Sequence, residues 1–201
     1  MLDNKLGIIN EVELSKEEER LSKIKALKLF DIDLNNLKIG TLECLSSIHE
    51  YLFNEIYSFA GKIRKENIAK GNFRFASSLY LEDILKKIDK MPENNYDEII
   101  KKYIEMNAAH PFREGNGRST RIWLDMILKS RLNKVIDWSK VQKEDYLLAM
   151  ERSPIKDTEI NLLLKSALTD KVNDRTVYMK GLDASYKYEG YNTYKMEELD
   201  K

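Results

Sequence analysis

The stretch HPFREGNGRSTR, residues 110–121, sets the plan of this chain. Before it runs NNYDEIIKKYIEMNAAH, where Asn95 and Glu98 resemble a capping box and Ile99, Ile100, Tyr103, Ile104 and Met106 supply an apolar face. Pro111 disfavours helical geometry at His110, so that helix is expected to end there. After the Gly115-Asn116-Gly117 turn comes RSTRIWLDMILKSRL. From Ile122 to Leu128 only Asp125 is polar, which predicts a helix buried on nearly all sides through the centre of the domain. Helix, tight loop, buried helix is the frame against which the rest must pack.

Working outward, the remaining sequence is mostly helical. With 8 Gly, 3 Pro and 34% charged residues, it reads as an all-α bundle with short connections. SKEEERLSKIKALKLFDI is expected to start at Ser15 as N-cap, burying Leu21, Ile24, Leu27 and Leu29 and leaving the KEEERLSKIK charges on a solvated face. TLECLSSIHEYLFNEIYSFAG places Leu42, Leu45, Ile48, Leu52 and Ile56 on one side and is expected to stop at Gly61. Cys44 and His49 fall on this apolar pattern as core residues, and Trp123 and Trp138 read as core or interface anchors. KIRKENIAKGNFRFAS breaks the helical period. Its Lys70-Gly71-Asn72 turn and Phe73-Arg74-Phe75 alternation predict a small hairpin, the only β signal in the chain. LYLEDILKKIDKM, ending near Pro92, then KEDYLLAME, DTEINLLLKSAL and DASYKYEG read as further helices. No repeat or break in composition divides residues 1–201, so one domain is expected.

Bulk charge narrows the function. Lys plus Arg and Asp plus Glu number 34 each, which argues against a protein built to grip nucleic acid directly. The N-terminus lacks the apolar region of a signal peptide and no run is long enough for a bilayer. A soluble, cytoplasmic protein without a membrane partner is expected.

The twelve residues themselves suggest phosphate chemistry. A helix N-terminus presents unpaired N–H groups and partial positive charge, and Gly115 and Gly117 let the preceding backbone curl into an anion nest. Arg118 and Arg121, at i and i+3, fall on one side of the first turns, so both can reach one anion. Two guanidiniums and a nest suit a polyphosphate better than a single carboxylate. Glu114 is a lone carboxylate beside that nest, the usual protein share of a Mg²⁺ site. His110 supplies a base near neutral pH. The set points to phosphoryl or nucleotidyl transfer.

HPFREGNGRSTR resembles the signature of the Fic-domain family, His-Pro-Phe-x-Asp/Glu-Gly-Asn-Gly-Arg-x-x-Arg, at every defined position. The order of helices, hairpin, motif and further helices is also similar, from about Gly61 to Tyr191. The resemblance implies a Fic-type helical bundle around a buried central helix, with a β-hairpin flap at about 61–80 and a catalytic helix-loop-helix at 95–131. It implies transfer of AMP from ATP to a Tyr, Ser or Thr hydroxyl of a target protein. His110 would be the base and Glu114 would hold Mg²⁺. Gly115, Gly117 and the Asn116 side chain would bind phosphates, whose charge Arg118 and Arg121 would neutralise, while Phe112 anchors the loop. Lys70, Gly71, Asn72 and Phe73 of the flap would dock the target by strand pairing. A kinase branch carries lysine at the second glycine, so Gly117 favours AMP transfer; UMP and phosphocholine transfer stay open. A type II topoisomerase is a first candidate target, and self-association a candidate means of protecting the inhibited state.

SYKYEG, residues 185–190, places Ser185 and Glu189 on one helical face ahead of Gly190. It matches the family's inhibitory motif, which implies a C-terminal inhibitory helix at 183–192. Glu189 would pair with Arg121 and take the charge meant for the γ-phosphate. Tyr186 and Tyr188 would be candidates for self-modification that unseats the helix. Removal of AMP by a Glu189-held water and nucleotide sensing without turnover are the alternative functions.

Overall fold

The computed structural model describes residues 2–32, 37–71 and 73–200. Helix α1 spans Glu11–Leu29 and starts four residues before Ser15, because the Asn10 side chain accepts the Glu13 N–H at 3.0 Å and acts as N-cap. Thr41 caps α2, Leu42–Phe53, in the same way through the Cys44 N–H. That helix ends well before Gly61. The chain beyond it folds back in tight turns until Gly61, at φ +74°, donates its N–H to His49 Nδ1 at 2.9 Å. The hairpin follows as β1, Ala69–Lys70, paired antiparallel with β2, Phe73–Arg74. Asn72, expected in its turn, lies outside the described residues.

Helix α3 is Leu81–Asp89, and α4, Tyr96–Ala109, starts at Asn95, whose side chain accepts the Glu98 N–H. Glu98 in turn accepts from Asn94, one residue before the expected partner. As Pro111 requires, α4 stops at His110. Helix α5, Asn116–Leu132, is the central helix, packed against α2 and α4, with Trp123, Leu124, Ile127 and Leu128 fully buried. A second two-stranded pairing joins β3, Val135–Ile136, to β4, Leu168–Thr169, so the hairpin is not the only β structure. Asp125, the polar residue within the run Ile122 to Leu128 of the central helix, accepts the Ile136 N–H at 2.8 Å and the Trp138 indole at 2.7 Å. Helix α6 is Lys143–Arg152 and α7 is Thr158–Ser166.

The C-terminal helix is longer than SYKYEG suggests. Helix α8 runs Arg175–Tyr188 from an Asp174 cap, and a short α9, Met196–Leu199, follows. Gly190, at φ +94°, ends α8: its N–H bonds Lys187 O and the Tyr191 N–H bonds Tyr186 O, a Schellman closure. This turn carries Glu189 at its corner and swings Tyr191 back toward α1.

The charges of α1 correct a second expectation. Glu18, Glu19 and Lys23 are buried. Glu19 accepts the N–H groups of Thr193 and Tyr194 and pairs with Lys23, which also reaches Asp183 at 3.3 Å. The polar stripe of α1 is thus the seam that binds the C-terminal segment. No helix among the described residues is long and apolar enough to cross a membrane.

Candidate active site

The end of α4, the start of α5, the hairpin, α6 and the corner after α8 surround one cavity of about 580 Å³. His110, Glu114, Gly115, Gly117, Arg121 and Glu189 all line it, with Lys70 and Phe73 at the hairpin side and Tyr146, Leu147 and Met150 opposite.

His110 occupies a left-handed conformation, φ +49° and ψ +67°. Its Nδ1 lies 3.0 Å from Asn107 O. A carbonyl only accepts, so Nδ1 carries the proton and Nε2 keeps its lone pair. Phe75 stacks on the ring at 3.6 Å. Burial pushes the imidazole down to about 4, so it is neutral and able to take a proton at pH 7.

The loop from Pro111 to Gly115 is shaped by buried groups. The Asn116 carboxamide accepts the Phe112 N–H and donates to Phe112 O, both at 2.8 Å. That side chain therefore shapes the loop, where phosphate contact was expected of it. His49 stacks on Phe112 at 3.9 Å and donates from Nε2 to Glu114 O at 2.8 Å, its Nδ1 being taken by Gly61. Gly115 sits at φ +75° in contact with the Phe53 ring, and a β-carbon there would stand 2.5 Å from it. At Gly117 the backbone is helical, but a β-carbon would collide with Glu189 Oε1. Gly115, Asn116 and Gly117 thus line the cavity with Glu189 laid over Gly117, and the Gly115 N–H donates to Glu114 Oε1 at 2.9 Å.

The two arginines differ. Arg121 Nε donates to Ser185 Oγ at 2.6 Å, and its Nη2 reaches Ser185 O at 2.8 Å and Glu189 Oε1 at 2.6 Å. Arg118 is wholly buried behind the cavity wall. Its Nε lies 3.2 Å from Glu189 Oε2, and its Nη2 lies 2.7 Å from Glu18 and 3.2 Å from Glu114. Phe53, Tyr186 and Tyr191 surround the guanidinium, and Nη1 has no partner among the described residues. Burial raises the Glu189 carboxyl, yet Arg121 and Arg118 outweigh it and hold the group ionised below its ordinary value. Burial dominates at Glu114, which is held above the ordinary value with Arg118 opposing.

Glu114 is the only carboxylate on the motif loop. Among the described residues no three His, Cys, Asp or Glu side chains group as a metal site. A lone carboxylate in a cavity at a helix N-terminus fits Mg²⁺, which takes most of its oxygens from water and phosphates.

Tyr186 and Tyr188 stand against their expected role. Both are buried, and the Tyr188 hydroxyl donates to Trp138 O and Val141 O at 3.0 and 2.7 Å. Neither hydroxyl is open to modification while α8 is seated. Sequence reasoning did not identify Glu18, Arg64, Phe75 or Tyr191 as site residues. Only Phe75 carried a signal, being in the alternation that marked the hairpin.

The Fic/DOC family model matches residues 40–128. Protein adenylyltransferase VbhT of Bartonella schoenbuchensis is 27% identical over 214 residues, covering 94% of this chain. The chain spans 44% of the length of that relative. A probable protein adenylyltransferase Fic of Escherichia coli is 25% identical over 182 residues, covering 85% of this chain and 88% of its own. Among solved structures, BepC of Bartonella tribocorum with bound AMPPNP superposes with a TM-score of 0.73 at 18% identity, covering 84% of this chain and 92% of its own. The N-terminal FIC domain of Bep8 from a Bartonella species gives 0.75 at 19%, covering 86% and 92%.

Proposed function

We propose that this chain is a Fic-type protein adenylyltransferase that moves AMP from ATP to a Tyr, Ser or Thr hydroxyl of a target protein. The observation that carries this reading is the single cavity shared by a neutral His110, the Gly115–Gly117 turn at a helix N-terminus, Glu114 and Arg121. The N–H groups at the start of α5 and Arg121 would take the phosphates, with Arg118 behind the wall adding charge but no contact, and the apolar wall of Leu147 and Met150 suits the adenine. His110 Nε2 would accept the hydroxyl proton as oxygen attacks the α-phosphorus and pyrophosphate leaves. Glu114 would hold Mg²⁺, which neutralises phosphate charge when bound. The strand edge of the hairpin would hold an extended target segment beside His110.

Glu189 acts in this reading as an inhibitory stand-in for phosphate. It occupies Arg121 and covers Gly117, so a triphosphate in the productive pose must displace it. Hundredfold repression needs the seated state favoured by about 2.7 kcal/mol. A buried charge-assisted pair with two arginines reaches that order.

The test is transfer of labelled AMP into a lysate, followed by identification of the labelled band. Glu189→Gly should raise transfer by about a hundredfold, and His110→Ala in that background should lower it by at least about a hundredfold. An unchanged rate in Glu189→Gly removes the inhibitory contact from the account. Retained transfer in His110→Ala removes the base.

A further inference from the structure

Arg64 is buried, yet every hydrogen bond its guanidinium makes is to a main-chain carbonyl. Nε donates to His110 O at 2.7 Å and Nη2 to Ala109 O at 3.0 Å, at the end of α4. The same Nη2 reaches Ala76 O at 2.5 Å, and Nη1 reaches Glu66 O at 2.6 Å. Glu66 and Ala76 are the two feet of the hairpin, one on each side of β1 and β2. Main-chain bonds reinforce the joint: the Arg64 N–H donates to Pro111 O at 2.8 Å and the Ala76 N–H to Ala108 O at 3.0 Å. One step from Ala76, the Phe75 ring lies 3.6 Å over His110 at 16°.

We propose that Arg64 is a positioning residue whose guanidinium locks the hairpin and His110 into one register. This rests on the adenylyltransferase reading only for its consequence in catalysis. The physical reason is geometric. Four carbonyls on two separate chain segments converge on one site, and a planar fork with five donors spans them. An ammonium radiates three donors from one point and cannot reach all four carbonyls at once. The bond to His110 O also restrains a non-glycine residue in the left-handed region, which the preceding helix alone does not. Should the fork be lost, the base and the strand edge that presents the hydroxyl to it would drift independently. The phosphate cradle would be spared, because His49 and Asn116 hold that loop without Arg64.

Arg64→Lys in the Glu189→Gly background separates these effects. ATP affinity by calorimetry should match the parent, while AMP transfer falls by about a hundredfold. The chain has two histidines, each stacked on a phenylalanine, so proton NMR reads the joint without any activity. In Arg64→Lys the His110 ring signals should move toward those of Phe75→Leu, which removes the stack, while His49 over Phe112 stays in place. His110 signals that do not move, or undiminished transfer, overturn the proposal. Movement of both histidines together with lost ATP binding assigns Arg64 a general structural role and overturns it too. A parent variant that transfers no AMP sinks the functional reading instead, and the NMR comparison still decides on Arg64.

Discussion

His110 and Gly115 both lie at positive φ within six residues, which makes the motif loop the most conformationally demanding stretch of the backbone. The two glycines of the turn are needed for different reasons. Gly115 supplies a left-handed turn against Phe53, whereas Gly117 leaves room for Glu189. Gly115→Ala should therefore destabilise the protein by about 1–3 kcal/mol through backbone strain alone, with further cost from the Phe53 contact. Chemical denaturation measures it, and a change within error would mean the loop relaxes freely. The depressed His110 sets a pH dependence as well. A base must be unprotonated, so transfer by Glu189→Gly protein should stay flat across neutral pH and fall only as pH approaches about 4. A rate that already falls near 6.5 would show an imidazole in its ordinary environment. Pro111 made the helix end at His110 legible in the sequence. The left-handed geometry was not, because it depends on Arg64 and Phe75 from the hairpin.

At the scale of elements, α1 is where sequence patterning misled most. KEEERLSKIK looks solvated because acidic and basic residues crowd one helix in near balance, and nothing local reveals a partner a hundred positions away. Glu18 meets Arg118, the Tyr57 hydroxyl and the Tyr191 hydroxyl, while Glu17, one residue earlier, makes only a half-exposed pair with Arg20. The two neighbours should differ sharply in denaturation experiments. Glu18→Ala removes the nearest of three carboxylates from a buried guanidinium and the acceptor of two tyrosine hydroxyls, and should cost about 1–3 kcal/mol, whereas Glu17→Ala should cost well under about 1 kcal/mol. Equal effects would mean that Arg118 is satisfied without α1. The α8 corner follows the same logic. Gly190 marked the stop from sequence, but not that the Schellman turn brings Glu189 to Arg118 and the Tyr191 hydroxyl to Glu18.

Considered whole, the molecule completes its site from outside the matched residues 40–128, since Glu189 lines the cavity and Glu18 pairs with Arg118 behind its wall. Glu18 lies before that span, and Ser185 and Glu189 lie after it. Its acid response should also be a property of the whole fold. His49 and His110 are both held neutral by burial, each lowered from 6.5 to about 4. The unfolded chain binds these protons first, so the histidines' contribution to stability is full above 6.5 and is lost as pH falls toward about 4, while the buried Asp125 carboxyl, raised to about 7, opposes it. The slope should approach about 1.4 kcal/mol per pH unit for each histidine. Denaturation free energies across that window test it, and His49→Phe should lower the slope by about 1.4 kcal/mol per pH unit. An unaltered slope in that variant would place the proton uptake elsewhere.

The residues that determine their own surroundings were readable in the sequence. Periodicity gave the central helix, Pro111 its predecessor's end, the paired glycines the turn, and HPFREGNGRSTR the chemistry, since each acts within a few positions of itself. Tertiary structure alone decided which charges are buried and which groups aim the others: Glu18 on Arg118, Arg64 across two segments, His49 beneath the loop. A buried polar group is stable only when a partner meets it, and that partner comes from wherever the fold brings it, not from its neighbours in the chain.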